Sequence, residues 1–146
     1  MAVAGRRLYF AYGSNMDVEQ MGRRCPDARL VGTARLPGYR FRVNGYGVAT
    51  IVPERGAMVH GVLWELTEED ERQLDEYEGV PDYYLKDVLR VMDGSGQPLE
   101  AMVYIARDSG PGAPRRGYME RIVRAARHHG LPVEYVEELA SWLDRS

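Results

Sequence analysis

Two short segments of the chain gather residue types able to do chemistry. The first is Tyr12-Gly13-Ser14-Asn15, a glycine and two small polar residues where an aromatic run stops. A turn of that composition between a strand and a helix can aim backbone N–H groups at an anion. It can equally do no more than connect the two elements and cap the helix. The second is Asp75-Glu76-Tyr77-Glu78-Gly79-Val80, at the C-terminal end of a predicted helix. There the helix dipole already disfavours a carboxylate anion. A glutamate turned from that end into a cavity lined by tyrosines would have its pKa raised toward the range useful for proton transfer. Left on the surface, Glu76 and Glu78 are both solvated charges.

Other reactive side chains are sparse. Cys25 is the single cysteine, which excludes an internal disulfide framework and a multi-cysteine zinc site. It has no histidine near it in sequence and reads as a small, partly buried side chain. His128 and His129 fall in the last turn of a predicted helix, where complementing the dipole accounts for them. His60 lies on a predicted strand and suits a cross-strand or core hydrogen bond. With two of the three histidines adjacent, no metal-ligand spacing emerges, so no metal site is expected. Arg40 and Arg42 alternate with Tyr39, Phe41 and Val43, which turns the arginines toward solvent.

These segments need elements to hold them. Leu8–Tyr12 reads as a strand, and Asn15 as the cap of a short helix carrying Met16, Val18, Glu19 and Met21. Leu30–Leu36 and Tyr39–Val43 are predicted strands. Gly47–Val52 and Met58–Leu66 are two more, separated by the turn residues Pro53–Gly56. Thr67 caps a helix whose first turn is Glu68, Glu69, Asp70 and Glu71, with Leu74 and Tyr77 as core contacts before Gly79 and Pro81 end it. Tyr83–Met92 and Leu99–Ala106 form a hairpin around Asp93–Gly96. The Gly/Pro-rich loop Asp108–Pro114 leads to a helix over Arg116–His129. Pro132 opens a last helix through Trp142, at the first helical position. Strands first, with one mid-chain and two C-terminal helices, predict an α+β fold with a largely antiparallel sheet or barrel. A parallel βαβ repeat is excluded.

The 146 residues fit a single domain spanning 1–146, long enough for a core without staples. The net charge of −3 excludes a generally basic nucleic-acid binder. No apolar run approaches the ~18 residues of a membrane span, and no signal-peptide core precedes Arg6 and Arg7. A cytoplasmic protein with neither membrane nor nucleic-acid partner is the expectation. Charge is nevertheless uneven: residues 64–93 carry eleven acidic and three basic side chains, whereas residues 1–63 carry four acidic and nine basic. Eighteen of the nineteen basic residues are arginine, with Lys86 the exception.

Taken together, Leu8-Tyr9-Phe10-Ala11-Tyr12-Gly13-Ser14-Asn15-Met16 closely resembles the opening signature of the γ-glutamylcyclotransferase family, which has an AIG2-like fold. Gly47-Val48-Ala49-Thr50-Ile51, Gly61-Val62-Leu63-Trp64, Leu74-Asp75-Glu76-Tyr77-Glu78-Gly79-Val80, Gly130-Leu131-Pro132 and Tyr135 follow in the family's order. The likeness spans roughly residues 7–140.

The resemblance implies a compact α+β fold built round a mixed, mostly antiparallel barrel-like sheet, whose cavity holds a γ-glutamyl group without metal or organic cofactor. It implies substrate-binding roles for Ala11, Tyr12, Gly13, Ser14 and Asn15, and an acid/base role for Glu78 and not Glu76. Tyr84 and Tyr118 would also line the pocket. The spacing from Glu78 to Tyr84 is one residue shorter than in some relatives, so Tyr83 competes with Tyr84 for that place. The reaction implied is attack of the substrate's own α-amine on its γ-carbonyl, releasing 5-oxoproline and an amine or amino acid. Removal of a γ-glutamyl protecting group from a biosynthetic intermediate, and a non-catalytic binding module, are the alternatives. A monomer and a homodimer both fit.

Overall fold

The computed structural model describes residues 5–145; of the single domain expected over 1–146, residues 1–4 and 146 lie outside the described residues. Strand β1 (Arg7–Ala11) is followed by a single 3-10 turn, Ser14–Met16, and helix α1 (Val18–Arg24). Then come β2 (Arg29–Val43), β3 (Ala49–Leu66), α2 (Glu68–Glu78), β4 (Tyr84–Asp93) and β5 (Pro98–Ala106). Helices α3 (Tyr118–His128) and α4 (Val133–Ala140) and a final 3-10 turn, Ser141–Arg145, end the described chain.

The five strands close into a barrel in the order β1-β3-β2-β4-β5. All neighbours are antiparallel except β1 and β5, whose parallel pairing at Tyr9 and Met102 shuts the barrel. The fold is therefore α+β with a mixed, mostly antiparallel barrel-like sheet, as the resemblance implies and within what the element order allows. Strand β1 is buried from Leu8 through Ala11, which explains its unbroken apolar and aromatic run. Helix α2 begins as expected: the Thr67 hydroxyl accepts from the Asp70 N–H and the Asp70 carboxylate from the Thr67 N–H, a reciprocal cap. The β4–β5 turn is tied by the Asp93 carboxylate, which accepts from the backbone N–H groups of Ser95 and Gln97. Among the described residues no helix is long and apolar enough to cross a membrane.

Several local expectations are corrected. Leu30–Leu36 and Tyr39–Val43 are one strand, as are Gly47–Val52 and Met58–Leu66 with the intervening residues. Pro53–Gly56 is not a hairpin turn. Pairing jumps from Tyr39↔Pro53 to Pro37↔Met58, so these residues form a wide bulge opposite Gly38. Pro53 has no N–H to donate to the ladder, and Gly38 and Gly56 take the positive φ values, 84° and 83°, that the bulge requires. Asn15 does not cap α1. It is buried in the 3-10 turn, and Asp17 caps the helix by accepting from the Glu19 N–H. Tyr77 is 60% exposed and lies outside the core, with the Arg24 guanidinium 4.9 Å from its ring centre. Pro132 occupies the capping position before α4, and α3 starts at Tyr118 because Gly117 adopts the left-handed conformation.

One glycine sets how closely two strands approach beneath the Tyr12–Asn15 loop. A Cβ at Gly61 of β3 would strike the carbonyl of Ala11 and lie 3.1 Å from the Phe10 ring. That contact is with backbone and cannot be relieved by a side-chain rotation. Gly61→Ala is expected to destabilise the fold by ~1–3 kcal/mol, the usual penalty of overpacking, measured as a lowered urea midpoint. An unchanged midpoint would contradict this close packing.

Candidate active site

Five tyrosines, one glutamate and one loop meet at a pocket. Its walls are Tyr9 and Tyr12 from β1 and its exit, Gly13, Ser14 and Asn15 from the loop, Ala49 of β3, Glu78, Tyr84, Tyr104 and Tyr118. The pocket is small, with ≈ 300 Å³ of empty space counted out to its open mouth. Three of the five phenols are tied to backbone and the other two to side chains. The Tyr12 hydroxyl donates to the Tyr104 carbonyl (2.5 Å) and the Tyr84 hydroxyl to the Ala49 carbonyl (2.5 Å). The Tyr118 hydroxyl accepts from the Ala49 N–H (3.0 Å), and the Tyr104 hydroxyl donates to Asp75 (2.6 Å). Burial pushes the phenols of Tyr9, Tyr12, Tyr84 and Tyr104 up, and that of Tyr118 to about 12, so all five stay neutral near neutral pH.

Glu78 is the last residue of α2. Gly79 takes φ 70° and ψ 45°, and its N–H returns to the carbonyls of Asp75 and Glu76, a left-handed stop that only glycine adopts without strain. The chain thus leaves the helix at the residue whose carboxyl faces the tyrosines. Desolvation by burial is the largest influence on that carboxyl and raises it to about 7. The Arg24 charge and a hydrogen bond with Asn15 pull the other way, and Asp75 adds to the rise.

The loop is rigidly supported. Gly13 closes on β3 and α3, since a Cβ there would lie 3.2 Å from the Ala49 Cβ and 3.6 Å from the Tyr118 hydroxyl. The Trp64 indole N–H donates to the Asn15 carbonyl at 3.0 Å from beneath. The turn itself is closed by Met16 N–H to Gly13 and Asp17 N–H to Ser14. Among the described residues no acceptor takes the backbone N–H of Gly13, Ser14 or Asn15. Three backbone donors of the pocket-lining loop thus have no protein acceptor among the described residues.

Of the residues expected from sequence, Tyr12, Gly13, Ser14, Asn15, Glu78, Tyr84 and Tyr118 all line this one pocket. Ala11 is buried within β1, its carbonyl packed on Gly61, and does not line it. Tyr84, and not Tyr83, faces the pocket. Tyr83 is exposed, packs over the α-carbon of Gly79 and meets Tyr46 edge-on at 5.7 Å. Glu76 is also exposed. Sequence reasoning missed Tyr9, Ala49 and Tyr104. The available signal was polar: a tyrosine on a fully buried strand must find a partner for its hydroxyl.

The remaining candidates are structural. Burial pushes the Cys25 thiol up to about 12, so it is no thiolate nucleophile. His129 sits 2.7 Å from the Met16 carbonyl and packs against the ring of His128. The His60 ring lies 4.9 Å from that of Tyr135 on the far side of the barrel, its pKa lowered by burial and by Arg35.

Comparison with known proteins agrees with this geometry. The model of the AIG2-like family matches residues 58–139. A curated γ-glutamylcyclotransferase from Homo sapiens is 32% identical over 143 residues, spanning 90% of this chain and 76% of its own. One from Bos taurus is 30% identical over 145 residues, spanning 92% and 77%. A solved γ-glutamyl cyclotransferase structure superposes with a TM-score of 0.84 at 30% identity, covering 93% of this chain and 87% of that one. A yeast γ-glutamyl cyclotransferase specific to glutathione, 14% identical with a TM-score of 0.63 over 96% of each chain, shares the fold. With sequence and architecture matched over nine-tenths of its length, the chain belongs to the γ-glutamylcyclotransferase family of enzymes.

Proposed function

We propose that this protein cleaves a γ-glutamyl amide by internal cyclisation, releasing 5-oxoproline and a free amine or amino acid, with Glu78 as the acid/base. The observation that carries the reading is Glu78 itself, raised to about 7 by burial in a pocket whose other titratable walls are neutral phenols. The pocket's small volume suits a γ-glutamyl head, with the leaving amine at its open mouth. Loop N–H groups of Gly13, Ser14 and Asn15 would hold either the substrate α-carboxylate or the oxygen of the tetrahedral intermediate.

The chemistry needs no protein nucleophile. The substrate α-nitrogen attacks its own γ-carbonyl carbon, a C–N bond closes the five-membered ring, and the amide C–N bond breaks. The α-ammonium gives up two of its three protons and the leaving nitrogen gains two, so one carboxyl that accepts and returns protons balances the reaction. A well-held ring-closing conformer can contribute ~7–11 kcal/mol, and a matched acid/base ~10²–10⁴-fold. Losing one oxyanion donor typically costs about 2.7–4 kcal/mol.

The deciding assay measures 5-oxoproline release from a panel of γ-glutamyl dipeptides and γ-glutamylamines. Turnover of at least one member is expected, lost by ~10²-fold or more in Glu78→Gln and largely kept in Glu76→Gln. Its kcat/KM should rise with pH through an acid limb near 7, where Glu78 ionises. Full turnover by Glu78→Gln would refute the acid/base role. Binding of the panel without release would make the protein a ligand-binding module.

The same carboxyl must register in stability. Between its ordinary value near 4.5 and about 7, Glu78 is ionised in the unfolded chain but protonated in the fold. The unfolded state then binds fewer protons, so this group's contribution falls as pH rises through that window. Glu78→Gln is thus expected to gain on wild type from pH 5 to pH 8, by on the order of 2–3 kcal/mol. Urea midpoints at the two pH values measure it; a pH-independent gap would mean the carboxyl is not held protonated.

A further inference from the structure

Asparagine and glutamine side chains are ordinarily ambiguous, because the oxygen and nitrogen of the amide differ little in shape. Behind the pocket that ambiguity is removed by two guanidinium groups, which can only donate. Arg24 donates from Nη1 to Asn15 Oδ1 at 3.0 Å. Arg121 donates from Nη1 to Gln20 Oε1 at 3.0 Å and to Asp17 at 3.3 Å. Gln20 must therefore present its Nε2, which reaches Asn15 Oδ1 at 3.0 Å and the Ser14 hydroxyl at 2.8 Å. With its oxygen so taken, Asn15 turns its NH2 group into the pocket, where Nδ2 donates to the Tyr9 hydroxyl oxygen at 3.0 Å and bears on Glu78.

Both amides are more than nine-tenths buried, Asn15 being 4% and Gln20 8% exposed. A flipped Asn15 would set a carbonyl against the Glu78 carboxylate and an NH2 group against Arg24, both unfavourable. The orientation also decides the proton of Tyr9. Its oxygen accepts from Asn15, and among the described residues nothing accepts its own O–H, although the ring lines the pocket.

We propose that Arg121, Gln20 and Arg24 are positioning residues that fix the Asn15 amide in one of its two orientations, so that Glu78 meets an N–H donor and the Tyr9 hydroxyl donates to the substrate. The proposal rests on Glu78 being the proton shuttle. Other groups also bear on that carboxyl: Arg24 of α1, Asp75 of its own helix, and the phenols of Tyr9 and Tyr12 at β1, Tyr84 of β4, Tyr104 of β5 and Tyr118 of α3. Gln20 is the informative position because replacing it changes no charge.

The test titrates the Glu78 carboxyl by ¹³C NMR in protein labelled at glutamate, the resonance being assigned by its loss in Glu78→Gln. In Gln20→Met the midpoint is expected to rise by about half to one pH unit, and kcat to fall up to about tenfold with little change in KM, as for one lost hydrogen bond. Arg24→Lys, which keeps a donor and a charge, should stay closer to wild type than Arg24→Met. Arg23→Met, on the same helix but outside the network, should move nothing. Tyr9→Phe should lower kcat at least about tenfold.

An unmoved midpoint and full kcat in folded Gln20→Met would overturn the orienting role, and full kcat in Tyr9→Phe would overturn its donation to substrate. If Gln20→Met does not fold, Arg121→Met and Arg121→Lys take its place. A midpoint raised only in the methionine variant supports the proposal; one unmoved in both overturns it. The titration needs no turnover, so a wild type that releases no 5-oxoproline would refute the reaction and still leave the orientation to be decided.

Discussion

The site depends on withdrawing one carboxyl from water. Two effects disfavour the Glu78 anion, its position at the end of α2 and its burial among tyrosines. They are unequal. A helix terminus acts on a charge by roughly 0.3–1 kcal/mol. A rise from 4.5 to about 7 corresponds to roughly 3 kcal/mol, so burial dominates. That requires walls, and the closed barrel supplies them from elements far apart in the chain: β1, β3, β4, β5, the loop after β1 and the start of α3. The opposing pull of Arg24 and Asn15 keeps the carboxyl near neutrality and not above it.

Tyrosine is the side chain that makes such a wall workable. Phenylalanine would exclude water equally but could not fasten itself to the backbone. Histidine would add a second group titrating near neutral pH. The phenols of Tyr12 and Tyr84 donate to main-chain carbonyls, which locks the rings and leaves them uncharged. Asp75 serves the same end differently. Held by Lys86 at 2.9 Å, it accepts from the Tyr104 hydroxyl and fixes that ring from outside. The acidic stretch over residues 64–93 thus contains three kinds of carboxylate: surface charge at the start of α2, one that anchors a pocket wall, and one that faces the pocket.

Much of this could be read from the amino-acid order, and the exceptions have physical causes. The strands, the Thr67 cap, the β4–β5 turn and the pocket residues at positions 12–15, 78, 84 and 118 follow from local chemistry and from the family signature. Turn-forming residues misled at Pro53–Gly56, because in a long twisted ribbon a bulge uses the same residues as a hairpin turn. Asn15 misled in a similar way. Its side chain suits a cap, but tertiary donors from Arg24 and Gln20 claim it. Tyr9 and Tyr104 could not be assigned from spacing, since only the parallel closure of β1 on β5 brings their rings together, at 5.5 Å.

A pocket with one titrating carboxyl and, among the described residues, no activated nucleophile suits a particular kind of substrate. In the proposed cyclisation the reacting amine comes with it, already tethered to the carbonyl it attacks. A surface carboxylate near 4.5 would be a poor match to an ammonium proton, because efficient transfer needs an acid/base whose pKa lies near the operating pH. Raising the group to about 7 narrows that gap and still leaves a useful fraction ionised at neutral pH. In the proposed reaction it also lets the protonated form return its proton to the leaving amine. A metal-like Lewis acid or a covalent intermediate would solve a different problem, that of an external nucleophile that has to be activated. In the proposed cyclisation the difficulty is conformational, and a small walled cavity addresses it directly.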